Sequence, residues 1–181
     1  VGQYAAAVKI SEAWYFIPTI LAASLFPAII ESKQTDTGLY QRRMSRLFSL
    51  MFYLAICVAI PMCFLSDHLI NLIYGKVYEE AGTVLMVHVW SGIFVAVGVA
   101  NSKWLINENL QKFTIINTSI GAVLNILLNL LLIPYIGIEG AAISTLVSYG
   151  VAAYLCLLLF KQTRPSFILI TRSFFFRGNR C

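Results

Sequence analysis

Residues 1–30, VGQYAAAVKISEAWYFIPTILAASLFPAII, are apolar and long enough to cross a bilayer, yet they hold Lys9, Glu12, Pro18 and Pro27. A cation, an anion and two helix breakers are each costly in hydrocarbon. Lys9 and Glu12, spaced i to i+3, share one helix face and can neutralise each other. Alternatively, Lys9 snorkels to the outer interface and Glu12 follows it. Pro18 weakens the helix near midspan, and broken helices at membrane depth are tolerated where they line a cavity. That favours a cavity wall, with Lys9, Glu12 and Tyr15 as its polar residues.

The rest of the chain fits a membrane setting. Of 181 residues, 59% are hydrophobic and only 12% charged, and the mean hydropathy is +0.79. A soluble surface needs more charge than this. Apolar windows of about 20 residues mark five spans, at about 4–30, 47–65, 84–105, 113–133 and 137–160. All are expected to be helices, giving an all-α membrane protein, because nothing alternates with the period of two that a barrel strand requires.

Basic residues orient the spans. Lys33, Arg42, Arg43 and Arg46 surround the first connection, Lys103 and Lys112 the third, and Lys161, Arg164, Arg172, Arg177 and Arg180 the C-terminal stretch, leaving only Lys9 and Lys76 elsewhere among the 13. The positive-inside rule then predicts a cytoplasmic C-terminus and an outside start. An outside start, an odd span count and a first residue that is Val rather than Met read as the C-terminal part of a longer protein. The net charge of +5 follows from topology and anionic lipid, with no call for nucleic acid. The basic stretch 166–181 either lies along the inner membrane surface or is disordered.

Within the spans, Asn117, Gly121, Asn125 and Asn129 repeat every four residues, so the amides either bond neighbouring helices or line a wet cavity. Gly140, Ser144, Ser148 and Ala152 make a small-residue stripe, read as a helix-packing face. His88, near Ser91 and Gly92, is either proton-sensitive or, about one turn from the outer interface, directed at headgroups. Cys57, Cys63, Cys156 and Cys181 lack metal or redox spacing, and His68 and His88 lack the spacing of a zinc hydrolase, so no metal or cofactor is indicated. Asp67, Glu79 and Glu80, in the outer connection of about eighteen residues, have no framework holding them over a substrate, so no enzyme is expected.

Taken together, VGQYAAAVKISEAWYFIP (1–18), SLFPAIIESK (24–33), LIYGKVYEEAG (72–82) and LQKFTIINTSIGAVLNILLNLLLIPYIGIEGAAISTLVSY (110–149) resemble the C-terminal half of Wzx-type polysaccharide flippases, of the multidrug/oligosaccharidyl-lipid/polysaccharide exporter superfamily. The resemblance implies helices eight to twelve of twelve, arranged in two six-helix lobes around a central cavity. It implies movement of a polyprenyl-pyrophosphate-linked oligosaccharide, such as an O-antigen unit, across the bacterial inner membrane. The implied partners are membrane lipids, the N-terminal lobe of the same protein and O-antigen polymerase machinery. The related lipid II flippases carry a similar basic-x-x-Glu arrangement with the cation facing the cavity, which Lys9 and Glu12 match with Lys in place of Arg. Exopolysaccharide, teichoic-acid, lipid II or drug export is the alternative within the superfamily. A polymerase or ligase of lipid-linked sugars would need a larger periplasmic loop.

Overall fold

The computed structural model describes residues 2–174, and these are helical with no strand among them. The Arg177, Arg180 and Cys181 end of the basic stretch lies outside the described residues. Seven helices follow in order: α1 (Gly2–Glu12), α2 (Phe16–Thr35), α3 (Thr37–Tyr74), α4 (Glu80–His88), α5 (Ser91–Asn107), α6 (Lys112–Ala153) and α7 (Arg164–Phe174).

By length and composition four helical rods can cross a membrane: Gly2–Thr35, Thr37–Tyr74, Glu80–Asn107 and Lys112–Leu158. The last is a hairpin. Ile136 (φ −127°, ψ 16°) and Gly137 (φ 61°, ψ −141°) leave helical geometry, and the positive φ at 137 is one that glycine adopts without strain. The chain then doubles back, because a Cβ on Gly140 would lie 2.8 Å from the Leu132 carbonyl carbon and one on Gly121 2.7 Å from the Ala152 Cβ. Its arms, 112–135 and 138–158, are about 36 and 31 Å long at 1.5 Å per residue, each enough for one crossing. The fourth and fifth spans expected from hydropathy are these two arms.

The first rod is broken at residues 13–15, with Pro18 as the cause. Its ring displaces the carbonyl four residues back, at Trp14, and it has no N–H to donate. The chain tightens into i→i−3 bonds: Ala13 N–H donates to Ile10 O at 3.3 Å, Tyr15 to Glu12 at 3.0 Å and Ile17 to Trp14 at 2.9 Å. The third rod breaks at Val89–Trp90, which the apolar window 84–105 did not reveal. Here Ser91 precedes Gly92, a pair that favours kinks, and the Ser91 hydroxyl donates to His88 O at 2.7 Å.

Helix α3 corrects another expectation. It runs for 38 residues, from an Asp36 cap whose Oδ1 accepts the Gly38 N–H at 2.7 Å to Gly75 at φ 79°. The apolar window 47–65 is only its middle, so the connection expected to hold about eighteen residues shrinks to the short Gly75–Glu79 link. Hydropathy locates what hydrocarbon tolerates, whereas caps and a left-handed glycine decide where hydrogen bonding stops.

The apolar interior is divided. Ala6, Ala7, Ile70, Ala81, Val84, Leu85 and Ala142 form one buried cluster. Trp14, Ala22, Met44, Phe48, Met51, Ala96 and Leu157 belong to another. The division falls at the level of the two helix breaks. Of the basic stretch, Arg164–Phe174 is an ordered helix docked on the bundle: the Ser166 hydroxyl donates to Asn101 Oδ1 at 2.6 Å and the Ser49 hydroxyl to Ser173 O at 3.1 Å. For these residues the disordered reading is set aside.

Candidate functional site: the junction of two broken helices

Between the two apolar clusters lies a polar layer. His88 Nδ1 and the Ser11 hydroxyl are 2.9 Å apart. The Tyr15 hydroxyl lies 3.2 Å from the Ser91 oxygen, and since the Ser91 proton goes to His88 O, Tyr15 is the donor. Tyr4 likewise donates to Thr145 at 3.1 Å, because the Thr145 proton goes to Ala141 O. The Tyr4 ring stands edge-on to the imidazole, with centroids 6.1 Å apart. The break in the first rod is thus bonded to the break in the third, and the second arm of α6 joins the layer through Thr145.

Close packing completes the junction. A Cβ on Gly92 would come within 2.5 Å of the Trp14 indole, so only glycine lets the two breaks approach this closely. Sequence reasoning missed Ser11, Tyr4 and Thr145, and read Ser91 and Gly92 only as neighbours of His88. The adjacent Ser91 and Gly92 were the available signal; the cross-helix partners had none, since hydroxyl residues in spans are common and their contacts are non-local.

His88 is about 1% exposed, which corrects the headgroup reading. Helix α4 begins at Glu80, so His88 lies about two turns in, and α1 packs over it.

Lys9 and Glu12 point the other way. The side chain of Gln3 donates to Val77 O at 2.8 Å, setting the start of α1 level with the link after α3. Counting from there, Lys9 is about 9 Å and Glu12 about 13 Å deeper. Both belong to an exposed stripe formed by Ala5, Lys9, Glu12, Phe16 and Ile20. The ion pairs among the described residues are Lys33–Glu108 at 2.9 Å and Arg42–Asp36 at 3.6 Å. Lys9 and Glu12 do not pair with each other, contrary to the mutual neutralisation that their spacing allowed. Tyr15 lies in the break beside them, and Glu12 is within electrostatic range of Tyr15 and Tyr149.

The remaining candidates lie elsewhere. Asn117, Gly121 and Asn125 line a groove between α5 and the arms of α6, with Tyr149 on its wall. The amide of Asn129 donates to Asn125 Oδ1 at 3.0 Å, along the helix rather than across to a neighbour. Tyr149 is the residue common to this groove and the Glu12 surroundings. Gly140, Ser144 and Ser148 are buried where the hairpin closes. The Ser144 hydroxyl donates to Gly140 O at 2.7 Å. At the C-terminal ends of α2 and α5, Lys33 Nζ donates to Asn107 O at 2.8 Å besides pairing with Glu108, which also accepts from the Tyr40 hydroxyl at 2.9 Å. No metal-capable group of three His, Cys, Asp or Glu side chains occurs among the described residues.

The described residues thus form a helical bundle with two broken helices bonded to each other and with charges on an open face. The family model described as "Lipid II flippase MurJ" matches residues 14–177, and the chain belongs to that family. It is 26% identical over 155 residues to the probable low-salt glycan biosynthesis flippase Agl15 of Haloferax volcanii, covering 83% of this chain and 32% of that protein. It is 30% identical over 161 residues to the probable flippase AglR of the same organism, covering 86% of this chain and 33% of that one. The chain therefore spans about a third of the length of these curated relatives. No solved structure matches it.

Proposed function

We propose that this chain is part of a flippase that carries a polyprenyl-pyrophosphate-linked oligosaccharide, an O-antigen-type repeat unit, from the cytoplasmic to the outer leaflet of a bacterial inner membrane by alternating access. In this reading no bond is made or broken, the protein is not an enzyme, and its C-terminus is cytoplasmic. The observation that carries the reading is the depth and exposure of Lys9 and Glu12. A carboxylate about 13 Å below the outer link cannot reach headgroups, and a charge facing lipid there is expensive. A hydrated cavity removes that cost, and a lysine on its wall attracts a phosphate. The lysine acts as a point charge, without the bidentate fork of Arg.

The polar layer has a place in this mechanism. Side chains on either side of a helix break can shift relative to each other with less backbone disruption than in a continuous helix. Two breaks bonded at one level let the outer segments, α1 and α4, tilt together against α2 and α5.

The family description favours a second reading of the cargo, lipid II in place of an O-antigen unit. Both are polyprenyl pyrophosphates bearing sugars, so the demand on Lys9 is the same. The test is transport by the full-length protein in a flippase-null strain, scored beside its abundance in the membrane. Lys9→Ala is expected to lower transport by about tenfold or more at unchanged abundance, and Lys9→Arg to retain much of it. Full transport by Lys9→Ala would reduce the lysine to a snorkelling residue. Complementation of O-unit export against lipid II export decides the cargo.

A further inference from the structure

Helix α7 lies across the bundle rather than along it. The Tyr40 hydroxyl on Glu108 sets those two residues at one level. From that level Ser49 lies about 13.5 Å further along α3, and Asn101 about 10.5 Å back along α5. The Ser166 hydroxyl is bonded to Asn101 and the Ser173 carbonyl to Ser49. Two points about 10.5 Å apart on α7 therefore differ in depth by only about 3 Å. Both α3, on its way back to Thr37, and α5, on its way to Asn107, continue past this level, so α7 rests on the flank of the bundle and does not cap its end. The level falls close to the ends of the apolar windows 47–65 and 84–105, where hydrocarbon gives way to headgroups.

The face of α7 turned to the bundle carries Ser166, Ile170 and Ser173. Arg164, Ile168 and Arg172, four residues apart, form the opposite, exposed stripe. An apolar side chain thus stands between two guanidiniums about 12 Å apart along the helix. Arg164 Nε donates to Leu158 O at 3.1 Å, which leaves its two terminal amino groups to donate elsewhere. Arg172 has no hydrogen bond or ion pair to a described residue. No carboxylate is placed to answer either cation. Nothing acidic follows Glu139 in the sequence, and neither 37–66 of α3 nor Ser91–Asn107 of α5 holds an Asp or Glu. Glu108 is engaged by Lys33 and Tyr40.

The counter-charge must then come from outside the described residues. A second copy meeting this face across a twofold axis would set arginine against arginine. A neutral lipid would cover Ile168 and leave both cations without a counter-ion. An anionic phospholipid meets both demands: its phosphate accepts from a guanidinium fork and its acyl chains cover the isoleucine.

We propose that the Arg164, Ile168 and Arg172 face of α7 is a binding site for anionic phospholipid of the adjoining leaflet, each guanidinium holding one headgroup phosphate. The site stands apart from the Lys9 and Glu12 face and fixes the α3 and α5 flank of the bundle at the membrane boundary.

The experiment is photo-crosslinking of full-length protein carrying benzoylphenylalanine at Ile168, in vesicles of phosphatidylcholine and phosphatidylglycerol in a known ratio. Mass spectrometry of the labelled peptide counts the two lipid adducts. Phosphatidylglycerol is expected to be enriched about fivefold over its share of the vesicle, the preference that one cation near the surface carries. The enrichment is expected to vanish in Arg164→Gln, Arg172→Gln and to persist in Arg164→Lys, Arg172→Lys, which keeps both charges. Should the glutamine variant fail to insert, the same probe at Phe64, 85% exposed on the apolar face of α3, supplies the reference without enrichment. Adducts in the vesicle ratio at Ile168, enrichment that survives the loss of both charges or appears equally at Phe64, links to peptide in place of lipid, or no adduct would each overturn the assignment.

Discussion

The Ser11 hydroxyl and His88 Nδ1, 77 positions apart in sequence, lie 2.9 Å from each other in the last turn before each of their helices breaks. Ser11 is 0% and His88 about 1% exposed, so neither can turn to water if its partner is lost. Removing the imidazole with His88→Phe leaves the Ser11 hydroxyl buried and unsatisfied, at a cost of about 1–3 kcal/mol. The double variant Ser11→Ala, His88→Phe is expected to cost less than the sum of the single changes, with a coupling of about 1 kcal/mol. Thermal unfolding of the purified full-length protein in detergent measures all four corners of the cycle. Strict additivity would dissolve the pairing.

Gly92→Ala tests the same junction by volume. The new methyl would lie 2.5 Å from the Trp14 ring, and a rigid indole in a packed core has little freedom to move. A loss of about 1–3 kcal/mol is expected, together with a shift in Trp fluorescence. Gly98→Ala is the control, since its Cβ would meet Ala153 at an ordinary 3.6 Å. Equal behaviour of the two would count against the close approach of the breaks.

At the hairpin turn, Gly137→Ala forces an L-residue to φ 61°, ψ −141°, at a cost of about 1–3 kcal/mol. No neighbour lies within 4 Å of the added methyl, so the effect is conformational. Disulfide formation between cysteines at positions 121 and 152 reports whether the arms still meet. The variant is expected to slow that reaction; an unchanged rate and melting temperature would contradict the turn.

The Lys33–Glu108 pair is expected to matter little by itself. Its side chains are 35% and 29% exposed, so solvent screens much of the attraction, and a double-mutant coupling of about 0.5–1 kcal/mol is expected that shrinks in high salt. Glu108→Gln keeps an acceptor for the Tyr40 hydroxyl, whereas Glu108→Ala removes it. The alanine variant is therefore the less stable of the two in the same melting assay.

Much of the architecture was legible because hydropathy reports directly on what hydrocarbon tolerates. The Pro18 break could be read because a missing N–H and a steric clash are local facts. The break at Val89–Trp90 was not, since Ser91 and Gly92 only permit a kink that packing against Trp14 then selects. The length of α3 was hidden for a similar reason: its ends are set by Asp36 and Gly75, outside the apolar window. Of the candidate residues, Lys9 and Glu12 stood out because charge in a span is rare. Ser11, Tyr4 and Thr145 did not, because each is ordinary until its partner from another helix is known. The amide stripe was visible as a stripe, but whether it met a neighbour or a groove depended on how α6 folds back.

In the proposed flippase the Lys9 and Glu12 face of α1 meets water rather than lipid. Full-length protein in which Cys57, Cys63, Cys156 and Cys181 are replaced, carrying Glu12→Cys, is treated in sealed membranes with a charged, membrane-impermeant methanethiosulfonate. The reaction requires a thiolate, which forms in water and not in hydrocarbon. The prediction is labelling at position 12 within about tenfold of the rate at a Lys76→Cys loop control, allowing for restricted access to a cavity. Modification of position 12 only by a lipid-soluble maleimide, with none by the charged reagent, would contradict the claim.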